Sequence, residues 1–177
     1  IYGAGGIGLN IIQASALLSA YPIIAIDLYD HRLELAKKMG ATHTINANKK
    51  NVKNEIIRIL NGHSLDLFID NTGISKIIEF GYEITSSNGK VVLVGVPRLD
   101  DNVKIYSLPL HFGKLLTGSH GGESNPYVDI PRYLKLFENK ICNISKIISS
   151  YYDLEDINAG IDAMTSGKTS GRVMIKL

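Results

Sequence analysis

What most constrains this chain is a rhythm. Over its first hundred residues, short runs of strand character exchange places with stretches of helical spacing. The runs are residues 22–28 (PIIAIDL), 42–47 (THTINA), 65–73 (LDLFIDNTG) and 90–96 (KVVLVGV). The first is β-branched without apolar–polar alternation, which suits a strand buried on both faces. Between the runs lie helical patterns: residues 5–20, with small Gly8, Ala14 and Ala16 for close packing on a sheet; 30–40, where Asp30 can cap and Gly40 stops; 49–62, ended by Asn61-Gly62; and 74–89, ended by Asn88-Gly89. Strands joined through helices in this way form a parallel sheet with right-handed crossovers. The expected fold class is α/β, a doubly wound parallel sheet.

From about Pro97 the rhythm loosens. Residues 97–102 read as a turn, 107–114 as a helical turn and 115–122 as a strand ending in glycines. Residues 125–140 read as a helix with Asp129 as N-cap and Pro131 near its first turn. Residues 145–154 are extended, 154–168 an amphipathic helix and 171–177 a closing strand. A boundary falls near Gly121-Gly122. Residues 1–121 make the sheet domain, and 122–177 a C-terminal return segment that needs a partner surface. Only Ile1 and Tyr2 precede the first glycine, so the first strand is expected to be truncated.

Charge and cysteine content narrow the partners. Lys+Arg 19 against Asp+Glu 17 leave a formal net charge of +2, with the lysines scattered. The basic stripe of a nucleic-acid binder is missing. No apolar run approaches the roughly 20 residues of a spanning helix, so neither nucleic acid nor membrane is an expected partner. Cys142 is the only cysteine, which excludes an intrachain disulfide and a thiolate-rich zinc site within these residues. The expectation is a cytoplasmic protein. His31, His43, His63, His111 and His120 show no ligand spacing, and no metal site is expected in this segment. Ser119 and His120 are neighbours in an extended run and point to opposite faces. No G-x-S-x-G elbow occurs, so no catalytic residue is assigned.

The chemistry concentrates in Gly3-Ala4-Gly5-Gly6-Ile7-Gly8, a G-x-G-x-x-G turn that leaves a strand and opens a helix. In a dinucleotide cradle Gly3 permits the tight turn, Gly5 leaves room for the pyrophosphate and Gly8 lets helix and strand approach. The amides of Gly6 and Ile7 would face the phosphates, aided by the helix dipole. Asp27 ends the next strand about 20 residues on, where an acid accepts from the adenosine ribose diol and repels a 2′-phosphate, favouring NAD over NADP. The bland alternative is a cap for the helix that follows. Arg32, one helical turn further, either lies over the adenine or neutralises a phosphate, or is a solvated helix arginine. The strand exits Asp70-Asn71-Thr72-Gly73 and Val94-Gly95-Val96-Pro97 would border the same crevice, although each taken singly reads as an ordinary strand exit. A methyltransferase and a regulatory nucleotide-sensing module share the glycine turn, although "DNTGIS" poorly matches a methyltransferase loop.

With "GAGGIGLN", "AIDLYDHRLELAKKMGATHTIN", "DNTG", "VVLVGV", "GSHGGESNPYVDIPRYL" and "DAMTSGKTSGRVMIKL" in this order, the chain resembles the coenzyme-binding domain of zinc-type alcohol dehydrogenases, in the medium-chain dehydrogenase/reductase superfamily. The resemblance implies a six-stranded Rossmann sheet of order 3-2-1-4-5-6 that binds NAD(H). It implies pyrophosphate on Gly6 and Ile7, ribose on Asp27 with Arg32 near it, and Asn71, Thr72 and Gly73 on the ribose side. Val94, Gly95 and Val96 would line the nicotinamide, and Ser119 and His120 would offer backbone groups to its carboxamide. Arg172 matches a phosphate-binding position; its plain reading is an edge-strand charge. The implied activity is hydride transfer between a small alcohol and nicotinamide, with zinc and proton relay in an N-terminal domain outside these residues. The segment after Gly122 would pack on that domain. Residues 1–177 alone would then bind NAD(H) without turning over alcohols. A homo-oligomer paired near residues 102–108 is also implied, and a zinc-free reductase of the same superfamily is the nearest competitor.

Overall fold

The computed structural model describes all residues from 1 to 177. Its elements run α1 (Gly6–Leu17), β1 (Ile24–Asp27), α2 (Asp30–Lys38), β2 (His43–Asn46), α3 (Val52–Leu60), β3 (Leu67–Asp70), α4 (Ser75–Ile84), β4 (Lys90–Leu93), β5 (Leu115–Gly118), α5 (Pro126–Glu138), β6 (Ile148–Asp153), α6 (Ile157–Thr165) and β7 (Arg172–Lys176). The four residues of β1 are all buried, and their alternation divides the core. Ile24 and Ile26 meet Ile45 and Ile56, on the side covered by α3. Ala25 points the other way, into a cluster with Leu9 and Ile12 of α1 and Leu33 and Ala36 of α2. A strand with helices on both faces has no room for polar alternation, which is why its sequence lacks it.

All pairing is parallel. The six-stranded sheet, however, is not realised as six strands. β2 pairs with β1, and β3, β4 and β5 form a separate trio. Between the two groups stands Tyr2 alone, bridged in parallel to Ile26 on one side and Asp70 on the other. Tyr2 N donates to Ile69 O at 2.9 Å and Asn71 N to Tyr2 O at 2.9 Å, while Gly3 N donates to Ile26 O at 2.8 Å. Two residues before a turn suffice for bridges but not for a ladder.

Helix ends differ from expectation in three places. Asp30 does not cap α2; Tyr29 is the N-cap, and the Asp30 carboxylate instead holds Asn46 and Lys49. α4 stops at Thr85, not at Asn88-Gly89, because Thr85 turns extended. α5 is capped by Asn125, whose side chain accepts from Tyr127 N, and Asp129 reaches back to accept from Asn125 N at 2.8 Å. A proline at the first helical position, Pro126, explains the earlier start.

The C-terminal part forms a second unit in which β6 and β7 pair and α6 connects them. Ile147, just before β6, is buried among the α1 and α2 residues and so anchors this unit to the sheet domain. α5 buries none of its residues. No helix is long and apolar enough to cross a membrane.

Candidate functional site

A cleft of about 480 Å³ opens beside Tyr2, at the carboxyl ends of β1 and β3. This is where an open parallel sheet reverses its strand order and where ligands sit in such folds. Its wall begins with the glycine turn. Gly3 has φ +93, a conformation that side chains rarely adopt, and a Cβ on Gly8 would lie 2.0 Å from Gly3 O. A Cβ on Gly5 would meet nothing within 4 Å. α1 starts immediately after, with Gly5 as an N-cap that has no side chain to fold over the helix end. The amides of Gly6, Ile7 and Gly8 make no backbone hydrogen bond. Unpartnered first-turn donors and the positive end of the helix dipole face the cleft, a ready seat for an anion.

Asp27 is 5% exposed. Its Oδ2 accepts from Ala4 N at 2.8 Å, and its Oδ1 accepts from Leu28 N at 2.8 Å and Tyr29 N at 3.2 Å. One carboxylate thus ties the glycine turn to the strand exit beside it, and it lines the cleft. It is not the N-cap of α2. Arg32, one turn into α2, is engaged rather than solvated. Its Nε donates to Thr169 O at 3.1 Å, its guanidinium lies 4.9 Å from the centre of the Tyr29 ring, and Nη1 stands 3.9 Å from Asp27.

The opposite wall is the exit of β3. Asp70 is fully buried and folds the Asn71-Thr72-Gly73 turn onto itself. Its Oδ1 accepts from Thr72 N and Thr72 Oγ1, and its Oδ2 from Gly73 N at 2.8 Å. Sequence reasoning named that turn with Asp70 at its head but assigned the aspartate no role; an aspartate followed by backbone donors at a strand end is the signal. Asn71 Nδ2 donates to Gly3 O at 3.3 Å, while Asn71 Oδ1 is buried without a partner. Tyr2, Leu28, Tyr29, Ile74 and Ile77 complete the lining and were not assigned to it from the sequence, since aliphatic and aromatic side chains at strand and helix ends carry no spacing motif.

Arg172 comes from far along the chain. A Cβ on Gly6 would lie 2.5 Å from its Nε, so the side chain lies across the start of α1. The cleft therefore unites Gly3, Gly5, Gly6, Ile7, Gly8, Asp27, Arg32, Asn71, Thr72 and Arg172. Gly73, Val94, Gly95 and Val96 stand beside it without lining it. A Cβ on Gly95 would lie 2.2 Å from Gly73 N, and one on Gly73 would lie 2.3 Å from Val96 O, so the two exits touch backbone to backbone. Ser119 and His120 lie beyond β5, two strands further across, with Ser119 N donating to Leu93 O at 2.9 Å. No group of three or more His, Cys, Asp or Glu side chains suited to a metal ion occurs.

A parallel sheet covered on both faces, a glycine turn opening a helix and an acid closing the next strand together define a Rossmann-type α/β domain. More narrowly, the chain belongs to the zinc-binding dehydrogenase family, whose model matches residues 6–139. It is similar to alcohol dehydrogenase 2 of Zea mays, 29% identical over 177 residues, covering 98% of this chain and 46% of that protein. Similar too is S-(hydroxymethyl)glutathione dehydrogenase of Paracoccus denitrificans, 29% identical over 182 residues, covering 99% and 48%. The crystal structure of benzyl alcohol dehydrogenase from Acinetobacter calcoaceticus superposes with a TM-score of 0.90 at 29% identity, covering 99% of this chain and 48% of that one. The chain spans about half the length of the curated relatives it matches.

Proposed function

We propose that this chain is the NAD(H)-binding part of a zinc-dependent alcohol or polyol dehydrogenase. The observation that carries the reading is the convergence of the unpartnered amides of Gly6 and Ile7 with the Asp27 carboxylate in one cleft. A pyrophosphate fits the first, because Gly5 leaves the space and Arg172 adds a positive charge across Gly6. A ribose diol fits the second. Oδ1 already accepts two backbone amides, but Oδ2 accepts only one and keeps a lone pair for a hydroxyl, and a neighbouring 2′-phosphate would be repelled. Asn71 and Thr72 border the ribose side. The nicotinamide end would extend past Gly73 toward Val94, Gly95 and Val96, with Ser119 and His120 offering backbone groups to its carboxamide.

When bound, the nicotinamide accepts or returns the hydride of the alcohol carbon. These residues bind and orient the cofactor. Zinc, which polarises an alcohol oxygen, and the proton relay belong in this reading to protein outside residues 1–177. The exposed α5, with Tyr127 at 93% and Val128 at 61% exposure, suits a surface that such a part covers. Residues 122–177 are its docking segment, residues 102–108 a pairing edge between copies, and a reducing, cytoplasmic setting fits the single cysteine. The test is alcohol-dependent reduction of NAD by the intact protein, expected to vanish on zinc chelation. Quinone reduction indifferent to chelation would assign the zinc-free branch instead.

A further inference from the structure

We infer that Arg32 is a positioning residue: through the carbonyl of Thr169 it fixes the loop that places Arg172 over the phosphate seat. The inference rests on the NAD(H) reading above. The loop, residues 167–171, begins and ends with glycines at positive φ, Gly167 at +73 and Gly171 at +78. Glycine-bounded loops are intrinsically loose, so the position of Arg172 needs an external cause. At the far end the cause is backbone packing, because a Cβ on Gly171 would lie 2.1 Å from Ile147 O. At the near end it is α2. The Tyr29 ring packs so closely on Gly167 that a Cβ there would stand 2.6 Å from its hydroxyl. Arg32 lies against that same ring and donates from Nε to Thr169 O at 3.1 Å.

Three residues later Arg172 starts β7 and crosses Gly6. The side chain that sequence reasoning set over the adenine, on a phosphate or in solvent thus has its Nε–H committed to the loop. Its consequence for the cofactor runs through Arg172: with the loop held, the guanidinium meets the pyrophosphate without an ordering cost at binding. Arg32 also stands 3.9 Å from Asp27, so a direct electrostatic effect on the cofactor is the alternative to be separated.

A double-variant cycle read by NADH titration on the intact protein makes that separation. Arg32→Ala and Arg172→Ala each weaken NADH binding about tenfold, and the double variant is at most about twofold weaker than either, as expected for residues of one network. Arg32→Gln restores binding to within about threefold of the parent, because Gln Nε2 sits at the same bond count as Arg Nε and can donate to the same carbonyl without charge. Multiplicative losses, near a hundredfold in the double variant, would show Arg32 acting on the cofactor directly and overturn the inference. So would parent-like binding by Arg32→Ala, or an Arg32→Gln protein as weak as Arg32→Ala. A parent protein that fails to bind NADH would overturn the functional reading itself.

Discussion

At the scale of single residues, one methyl group distinguishes two glycines of the turn. Gly8→Ala drives a Cβ into Gly3 O, a backbone atom that cannot step aside, and is expected to cost about 3 kcal/mol or more. Gly5→Ala meets no protein atom and keeps an ordinary extended φ of −74°, so it should fold as the parent does while losing NAD(H). Thermal unfolding and NADH titration of the two proteins check the contrast. Asp27→Asn places an amide among three backbone donors. It is expected to lower stability by about 1–3 kcal/mol, measured by urea denaturation. The same change should narrow the preference for NAD over NADP, since the charge that repels a 2′-phosphate is gone. The place of Gly3, Gly5, Gly8 and Asp27 in the cleft was legible because it rests on backbone space and one charge at fixed spacing. The shaping role of Asp70 was not, since its work is entirely internal to the turn.

At the scale of elements, the alternation of strands and helices along the first hundred residues was legible because β-branched runs buried on both faces leave little ambiguity. Helix ends were less so. Asp30 and Asp129 sit where a cap belongs, but each spends its carboxylate on a tertiary or neighbouring partner that spacing does not reveal. The end of α4 shows the same limit. Thr85 O receives the buried ammonium of Lys114 at 2.6 Å, from a residue 29 positions away. Burial pushes the Lys114 pKa below its usual 10.5. The folded protein then binds that proton less tightly than the unfolded chain, so stability rises with pH between the lowered folded value and 10.5. Tyr82, whose ring faces this ammonium at 4.4 Å and whose phenol is pushed above 10 by burial, costs stability only above pH 10. Urea midpoints should therefore climb as the pH rises toward 10, and Lys114→Met should flatten the climb. An unchanged slope in that variant would remove Lys114 as its source.

At the scale of the whole molecule, the sheet domain and the C-terminal unit meet at the cleft. Tyr2 bridges the two strand groups, and Arg172 returns from β7 to the start of α1. This long return was the least legible feature. A lone arginine at the start of a closing strand reads equally well as an edge charge until the fold brings it across Gly6. Cofactor binding should stabilise both units together, by about 2.7 kcal/mol at a hundredfold excess over Kd. Hydrogen exchange should slow in residues 166–172 as well as in the glycine turn. The central claim is that the cleft is an NAD(H) seat chosen by Asp27. It is tested most directly by calorimetric titration of the intact protein with NAD and with NADP. NAD should bind at a single site and NADP at least about tenfold more weakly, as a phosphate beside a buried carboxylate requires. Tighter binding of NADP, or no binding of either, would contradict it.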